Sequence, residues 1–342
     1  MQLRYGELLS LSGNLGICTV ESAALAGNAL GDPARRPVIV YTPPGYDGEG
    51  ARRYGVLYAL HGYTGNALGM IAARPWERNI VEWIDALIVQ KRMKPVLLVL
   101  VDGFTRLGGS QYVNSIHNGD YATYVTRDVV GFVDTSFRTN ATPGGRAVLG
   151  KSSGGFGAMH LVMEHPGCFC AFASHSGDSY FRYAAMPSFA SAQRALEANG
   201  FSIPAFVEAF ERKHKRHQHE YATMEMLGYA AAYSPRSSER FDIELPFEQR
   251  TGALREDVFA RWLAFDPVER VRQREPALRS LRLRYLDCGR RDEYGLDIGA
   301  RLVAERMREM GLEVRHEEFD DDHRNVGYRY EVSLPALAEV LD

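Results

Sequence analysis

The chain has 342 residues, of which 45% are hydrophobic and 24% are charged, a composition typical of a soluble globular protein. Its net charge of -3 excludes a strong electrostatic attraction to nucleic acid or to an acidic membrane surface. No apolar run reaches the roughly 18 residues that a membrane-spanning helix needs, so we expect neither nucleic acid nor a membrane as a partner.

The N-terminal sequence and the cysteines predict the compartment. The first residues show no basic segment followed by an apolar core, so no secretory signal is predicted. Cys18, Cys168, Cys170 and Cys288 lack the spacing of the usual zinc-binding pairs. We interpret them as free thiols in a reducing compartment, and we expect a cytoplasmic protein with neither a metal nor another cofactor.

Predicted strands alternate with predicted helices along most of the chain. Residues 1–25 indicate early antiparallel strands. Apolar runs predict strands at 37–42, 55–60, 96–102, 146–150, 170–175, 281–289 and 313–319. Helical spacing predicts helices at 76–92, at 120–137 with Asp120 as its N-cap, at 296–310 with Gly311 at its C-terminal end, and at 333–341. This alternation predicts a mostly parallel sheet with helices on both faces.

Residues 179–275 interrupt the alternation. They are rich in aromatic residues, Met, Arg and Glu, and they show helical stretches but no buried strand. We interpret residues 1–342 as a single α/β domain and this block as a helical, lid-like cap inserted into it. A basic run of His214, Lys215, Arg216, His217 and His219 is interpreted as a solvated helix face rather than a metal site.

A serine lies on a glycine-walled turn between a predicted strand and a predicted helix. The sequence Gly150-Lys151-Ser152-Ser153-Gly154 matches Gly-x-Ser-x-Gly, in which the serine is exposed on a strained turn above the sheet. A phosphate-binding loop is one alternative, but the glycine spacing of such loops is missing. An ordinary loop of Gly and Ser is the other alternative, and the context favours Ser152 as a nucleophile.

A serine hydroxyl needs an adjacent base, and the base needs an acid that holds its tautomer. In this kind of site the chain order is Ser, then Asp or Glu, then His. His323 lies in a polar loop just past the last predicted strand, whereas His316 lies within that strand. We therefore predict His323 as the base; the alternative is a surface histidine in an acidic loop.

The acid is expected in the loop after the preceding predicted strand. Asp292 is the first candidate there and Glu293 the second. Asp287 lies within the strand, and Asp297 lies within the next predicted helix. An ion pair of Asp292 with the neighbouring arginines is the alternative interpretation.

An oxyanion hole needs two backbone donors: one from the residue after the nucleophile, and one from a loop after an earlier strand. These criteria select the N–H groups of Ser153 and Tyr63, with Gly62 as a neighbour. His61 is interpreted as a structural hydrogen-bonding residue.

With these residues placed, the chain resembles the esterase D-type putative esterase family of α/β hydrolases. That family includes S-formylglutathione hydrolases, feruloyl and acetyl xylan esterases, siderophore-ester hydrolases and mycolyltransferases. The resemblance rests on Leu60-His61-Gly62-Tyr63-Thr64-Gly65, Tyr112-Val113-Asn114-Ser115, the helix from Tyr124 to Arg138, Gly150-Lys151-Ser152-Ser153-Gly154-Gly155-Phe156-Gly157-Ala158, Gly289-Arg290-Arg291-Asp292-Glu293 and Asp322-His323.

The resemblance covers about residues 35–178 and 280–342, and it implies an α/β-hydrolase fold with Ser152, Asp292 and His323 as nucleophile, acid and base. We also predict substrate contacts from Gly62, Tyr112, Asn114 and, in the insertion, Trp262. Two features depart from the family. Arg324-Asn325-Val326-Gly327-Tyr328 follows the histidine where a tryptophan is frequent, and the insertion is longer than in compact members.

The predicted function is a serine esterase that forms an acyl-enzyme intermediate on a small, aryl or carbohydrate ester. An acyltransferase with the same three residues is one alternative, and a catalytically silent binding protein with this fold is the other. The sequence leaves the oligomeric state open; an exposed apolar patch on the insertion would indicate a homodimer.

Overall fold

The computed structural model describes residues 11–48 and 50–342. In chain order its strands are β1 (Asn14–Glu21), β2 (Arg35–Thr42), β3 (Val56–Leu60), β4 (Leu97–Val101), β5 (Asn114–Ser115), β6 (Gly119–Asp120), β7 (Arg146–Lys151), β8 (Ala171–His175), β9 (Leu283–Gly289) and β10 (Arg315–Phe319). The part of the predicted early strands before residue 11 lies outside the described residues.

Eight of these strands form one sheet in the order β1-β2-β4-β3-β7-β8-β9-β10. β2 runs antiparallel to both β1 and β4, and every other neighbouring pair is parallel. The predicted mostly parallel sheet is therefore confirmed. β7 lies in the interior of the sheet, so the turn that follows it emerges in the middle of the edge where the parallel strands end.

In chain order the helices are α1 (Ile80–Val89), α2 (Tyr121–Thr123), α3 (Val130–Ser136), α4 (Ser153–Glu164), α5 (Phe181–Ala184), α6 (Phe189–Glu197), α7 (Ile203–Arg212), α8 (Gln218–Tyr233), α9 (Glu256–Leu263), α10 (Pro267–Arg270), α11 (Glu275–Arg279), α12 (Leu296–Glu309) and α13 (Tyr330–Glu339). A π-helical segment, Tyr124–Val129, joins α2 to α3. The predicted cap at Asp120 is wrong: its side chain accepts no capping hydrogen bond, and the Tyr121 N–H donates to the Val113 carbonyl instead.

Helices cover both faces of the sheet because residues of each strand alternate between two apolar cores. Tyr58 of β3 packs in the core that contains Leu161 of α4 and Val303 of α12. Its neighbour Leu57 packs in the opposite core, with helices α1 and α13. This two-sided burial explains why the central strands are continuous apolar runs in the sequence.

The insertion is built from helices α5 to α10, ends where α11 begins, and contributes no strand to the sheet in the described part of the chain. Its aromatic and aliphatic side chains form a core of their own, which includes Phe189 and Trp262. Phe156 of α4 is fully buried in that core. The insertion is therefore packed directly against the helix that follows the glycine-rich turn.

Replacement by alanine is expected to have opposite effects on stability at two of the glycines. A Cβ on Gly154 would lie 2.1 Å from the Leu60 carbonyl oxygen, so Gly154→Ala is expected to lower the free energy of unfolding by about 1–3 kcal/mol or more. A Cβ on Gly131, inside α3, would meet no atom within 4 Å. Gly131→Ala is therefore expected to raise that free energy by about 0.5–1 kcal/mol. Urea denaturation measures both, and equal stability of the two variants would contradict the packing described for the turn.

Candidate active site

Ser152 lies at the tight turn between β7 and α4. Its backbone has φ 57° and ψ -126°, a conformation that costs a non-glycine residue on the order of 1–3 kcal/mol. Its N–H donates to the His175 carbonyl at 2.9 Å, which ties the turn to the end of β8. The surrounding structure thus holds the serine in a strained geometry that presents its hydroxyl above the sheet.

His323 and Asp292 form a hydrogen-bonded chain with this hydroxyl. The His323 Nε2 lies 3.2 Å from the Ser152 Oγ, and the His323 Nδ1 lies 2.8 Å from the Asp292 Oδ2. Because the Nδ1 faces a carboxylate, it carries the proton, and the Nε2 is left as an acceptor for the serine hydroxyl. The three residues that the sequence singled out are therefore brought together.

Asp292 is held by several donors besides the imidazole. The Tyr294 N–H donates to its Oδ1 at 3.0 Å, and the Cys288 thiol contacts its Oδ2 at 3.5 Å. Burial acts to raise the pKa of Asp292, but the hydrogen bond and charge of His323 outweigh it and hold that pKa below its usual value. The carboxylate is consequently ionised at neutral pH, as an acid that orients a histidine must be.

Glu293, the second candidate, faces the backbone of the histidine and not its ring. Its carboxylate accepts from the His323 N–H at 3.1 Å and pairs with Arg324 at 3.5 Å. It therefore fixes the loop that carries the imidazole.

A second Ser-His-Asp array lies in the interior of the protein. The His175 Nε2 is 2.9 Å from the Ser333 Oγ, and its Nδ1 is 2.7 Å from the Asp287 Oδ1. All three side chains are buried, none lines the cavity beside Ser152, and Ser333 lies in a regular helix, α13. Hydrogen-bond distances alone do not distinguish the two arrays; the strained turn and access to a cavity do.

The loop after β3 approaches Ser152 closely. A Cβ on Gly62 would lie 3.2 Å from the Ser152 Cβ, a tight contact, so a glycine favours this approach. His61 fixes the loop, because its Nε2 accepts from the Gly103 N–H at 2.8 Å and its Nδ1 donates to the Gly62 carbonyl at 2.8 Å. Within residues 11–48 and 50–342, the N–H groups of Tyr63 and Ser153 donate to no protein acceptor.

A cavity of about 650 Å³ opens above these groups. Its wall includes Ser152, His323, the loop from Gly62 to Gly65, and residues of α8 in the insertion. Charged side chains of both signs line it, among them Lys151 and Glu225. The arrangement provides a nucleophile, a base, unoccupied backbone donors and space for a substrate of moderate size.

The comparisons with known proteins agree with this geometry. The model of a family described as "Putative esterase" matches residues 28–332. The chain belongs to the putative esterase family.

The individual proteins that resemble this chain share limited sequence identity with it. The chain is 34% identical over 90 residues to "Esterase Rv1288" of Mycobacterium tuberculosis (strain ATCC 25618 / H37Rv), a match that covers 26% of the chain and 20% of that relative. A solved ferulic acid esterase superposes with a TM-score of 0.61 at 18% identity, covering 97% of this chain and 100% of that chain. An S-formylglutathione hydrolase from Agrobacterium tumefaciens has a TM-score of 0.56 at 16% identity, covering 98% of each chain. These likenesses confirm the predicted α/β-hydrolase fold.

Three of the residues predicted to contact substrate do not line the cavity of this putative esterase. Tyr112 is buried and donates its hydroxyl to the His61 carbonyl, so it supports the loop beneath the site. Asn114 is exposed in β5 and bonds to Thr123, away from the cavity. Trp262 is fully buried in the insertion core, where its Nε1 donates to the Ser234 hydroxyl. Gly62 does line the cavity.

The sequence interpretation missed Asp178 and Glu225, which both line the cavity. Asp178 follows β8 and so lies at the same edge of the sheet as Ser152, which was the available signal. No pattern in the sequence pointed to Glu225, because its position depends on how α8 packs over the sheet.

Glu225 makes the stability of the protein depend on pH. Burial and the nearby Asp178 carboxylate raise the pKa of Glu225 from 4.5 to about 8. Between these pH values the folded protein holds a proton that the unfolded chain has released, so stability is lost as the pH rises from 4.5 towards 8. Glu225→Gln removes this loss. The Tm of the variant minus the Tm of the unmodified protein is therefore expected to be about 2–4 °C larger at pH 9 than at pH 5. Thermal melts check this, and Glu77→Gln, an exposed cavity carboxylate, is the control.

No helix of the described residues is long and apolar enough to cross a membrane. The described part of the chain also contains no group of three or more His, Cys, Asp or Glu side chains arranged to hold a metal ion. His214 and His217 of the basic run are exposed. All four cysteines are free; Cys170 and Cys288 are buried, and Cys18 and Cys168 are half-buried.

Proposed function

We propose that this protein is a serine carboxylic-ester hydrolase that works through an acyl-enzyme intermediate. The observation that carries the proposal is the strained Ser152, whose Oγ lies 3.2 Å from a histidine that is itself 2.8 Å from a buried carboxylate, at the wall of a cavity. Membership of the putative esterase family supports the same reaction class.

The reaction has two halves. Ser152 attacks the ester carbonyl while the His323 Nε2 takes its proton, and Asp292 stabilises the imidazolium that forms. His323 then returns the proton to the alcohol, which departs and leaves the acyl group on Ser152. In the second half His323 activates a water molecule, which hydrolyses the acyl-enzyme and regenerates the serine.

In this proposal the N–H groups of Tyr63 and Ser153 stabilise the oxyanion. Ser153 begins α4, so its N–H also carries the partial positive charge of a helix N-terminus. Loss of one such donor costs about 100-fold to 1,000-fold in rate in other enzymes. Neither N–H has a protein acceptor among the described residues, which supports this role, as does the close approach of Gly62 to Ser152.

The substrate in this proposal is a small, aryl or carbohydrate ester, and residues 179–275 form the cap of a single domain. Gln218, Tyr221 and Glu225 of α8 line the cavity, which supports a cap that contributes to substrate choice. The free thiols support a cytoplasmic location. A homodimer stays a prediction; the exposed large apolar side chains of the insertion are Tyr183, Tyr221 and Leu254.

The experiment that tests the function follows the products. With p-nitrophenyl acetate we expect a burst of one p-nitrophenol per protein, followed by steady release of free acetate. With an added alcohol, the products show how the acetyl group of the acyl-enzyme is divided between water and the alcohol. If most of the acetyl is transferred to the alcohol, the result favours an acyltransferase. A protein that shows no burst and no labelling by a fluorophosphonate would be a silent member of the fold, and the proposal would be abandoned.

A further inference from the structure

Asp178 is a carboxylate beside the proposed nucleophile that the mechanism does not use. Its side chain lines the cavity, is only 5% exposed, and has its Oδ1 3.4 Å from the Ser152 Oγ. Its Oδ2 accepts from the Ser153 hydroxyl and from the Tyr229 hydroxyl, both at 3.0 Å. Among the described residues the Oδ1 has no closer donor than the Ser152 hydroxyl, so one oxygen of this buried carboxylate has only a long hydrogen bond.

A second carboxylate, that of Glu225, contacts the same tyrosine hydroxyl as Asp178 does. The Glu225 Oε1 lies 3.4 Å from the Tyr229 hydroxyl, which has one proton to donate and is closer to Asp178. Neither acid pairs with an Arg, Lys or His within residues 11–48 and 50–342. Most other buried acids of the chain have such partners; for example, Asp287 contacts both His175 and Arg329. In the described part of the chain the two acids thus share one phenol proton and form no ion pair with the basic side chains, such as Lys151, that line the cavity elsewhere.

The place of Asp178 around Ser152 indicates which part of a substrate it meets. The tetrahedral carbon formed on Ser152 carries an oxyanion, a leaving oxygen and the acyl chain. In the proposed mechanism the oxyanion faces Tyr63 and Ser153, and the leaving oxygen faces His323. Those two groups leave the acyl side for Asp178, whose Oδ1, 3.4 Å from the Ser152 Oγ, is close enough to reach a substituent on the first carbon of the acyl chain.

We infer that Asp178 and Glu225 form a subsite for a protonated amine on the acyl group, so that the preferred substrates are esters of α-amino acids. An ammonium there supplies three donors and a positive charge to two acids that share one phenol proton and have no ion-pair partner among the described residues. Burial raises the pKa of Asp178, and a bound cation opposes that effect. The inference rests on the proposed esterase function, because it places the amine relative to an acyl group on Ser152.

The test compares esters that differ only in the charge of one acyl substituent. Benzyl esters of L-alanine, isobutyric acid and methylmalonic acid (its monobenzyl ester) carry an ammonium, a methyl and a carboxylate at the same position. We expect the unmodified protein at pH 7 to favour the ammonium and to disfavour the carboxylate in kcat/KM. Because the ammonium also activates the ester chemically, the decisive quantity is how the ammonium-to-methyl ratio changes between variants.

Asp178→Asn is expected to lower the ammonium-to-methyl ratio about 10-fold to 100-fold, the usual worth of a charged hydrogen bond. Glu225→Gln is expected to lower it less, because Glu225 makes no hydrogen bond to Ser152 among the described residues and its raised pKa of about 8 keeps much of it protonated at pH 7. Glu77→Gln is the matched control: its carboxylate also lines the cavity but pairs with Arg74, so the ratio should stay unchanged. An equal fall of both rates in Asp178→Asn would assign Asp178 to Ser152 itself and overturn the subsite.

A measurement on the unmodified protein covers the case in which Asp178→Asn does not fold. L-alaninamide is expected to inhibit benzyl isobutyrate hydrolysis at a concentration at least about 10-fold lower than isobutyramide does, because only the former carries the ammonium. Equal inhibition overturns the subsite.

A preference for 2-aminoethyl isobutyrate over the L-alanine ester would place the amine on the alcohol and overturn the acyl assignment. If none of the esters is hydrolysed, the esterase proposal fails and the subsite with it; hydrolysis of the neutral ester without any charge preference overturns the subsite alone.

Discussion

Ser152→Ala is expected to lower kcat for p-nitrophenyl acetate by about 10,000-fold to 1,000,000-fold, the range that follows from removing the nucleophile of a Ser-His-Asp enzyme. The residual rate would come from binding and from the backbone donors, because alanine leaves Tyr63 and Ser153 in place. Labelling by a fluorophosphonate should disappear completely. Steady-state kinetics and a gel of the labelled protein measure the two effects.

The interior array provides the matched control. Ser333 makes the same contact to a histidine as Ser152 does, and at a shorter distance, 2.9 Å against 3.2 Å. Because Ser333 lies in a buried part of α13, Ser333→Ala should keep the label and most of the activity, with a loss of stability of about 1–3 kcal/mol from the unpaired His175. Label retained by Ser152→Ala and lost by Ser333→Ala would reverse the assignment of the nucleophile.

Asp292→Asn is expected to lower kcat by about 1,000-fold to 10,000-fold while the protein stays folded. An amide at this position donates a hydrogen bond to the His323 Nδ1, so the proton of the imidazole moves to the Nε2. The Nε2 is the atom that must accept the serine proton, and in the wrong tautomer it cannot. The depressed pKa of Asp292 also predicts that activity does not depend on protonation of this acid near neutral pH.

Glu293→Gln distinguishes the two candidate acids. Its carboxylate accepts from the His323 backbone, which an amide oxygen still does, so kcat should fall by less than about 10-fold. If Glu293→Gln were instead the more damaging of the two variants, the acid would have been assigned to the wrong residue. Both variants are measured with the same ester, and circular dichroism controls for their folding.

The positions of Ser152, Asp292 and His323 could be predicted because parallel strands bring their carboxyl ends to one edge. Each residue follows a different strand, and chain order together with residue type was enough to select it. The same reasoning placed Gly62 beside the serine. This reasoning depended on the order of strands and helices along the chain, which the periodicity of the sequence indicates well.

The substrate contacts could not be predicted in this way. Tyr112 turns inward to the His61 carbonyl, and Trp262 packs among the aromatic residues of the insertion, because a large side chain gains most from full burial. Glu225 reaches the cavity only through the packing of α8, which no local pattern encodes. Side-chain direction in the loops and the insertion is a tertiary property, so the sequence indicated which candidate residues come together but not what surrounds them.

Phe156 is four residues from the proposed nucleophile, and its ring packs against both Phe181 and Tyr233, with centroids 6.0 Å away in each case. The turn that carries Ser152 and the insertion thus share one piece of hydrophobic interior. A hinged swing of the whole insertion would expose that ring to water, so substrate entry by such a movement is disfavoured. Because Phe156 is buried in the core of the insertion, deleting residues 179–275 to make a compact enzyme would also damage the turn. An exchange of this segment between relatives would likewise require residue 156 to be exchanged with it.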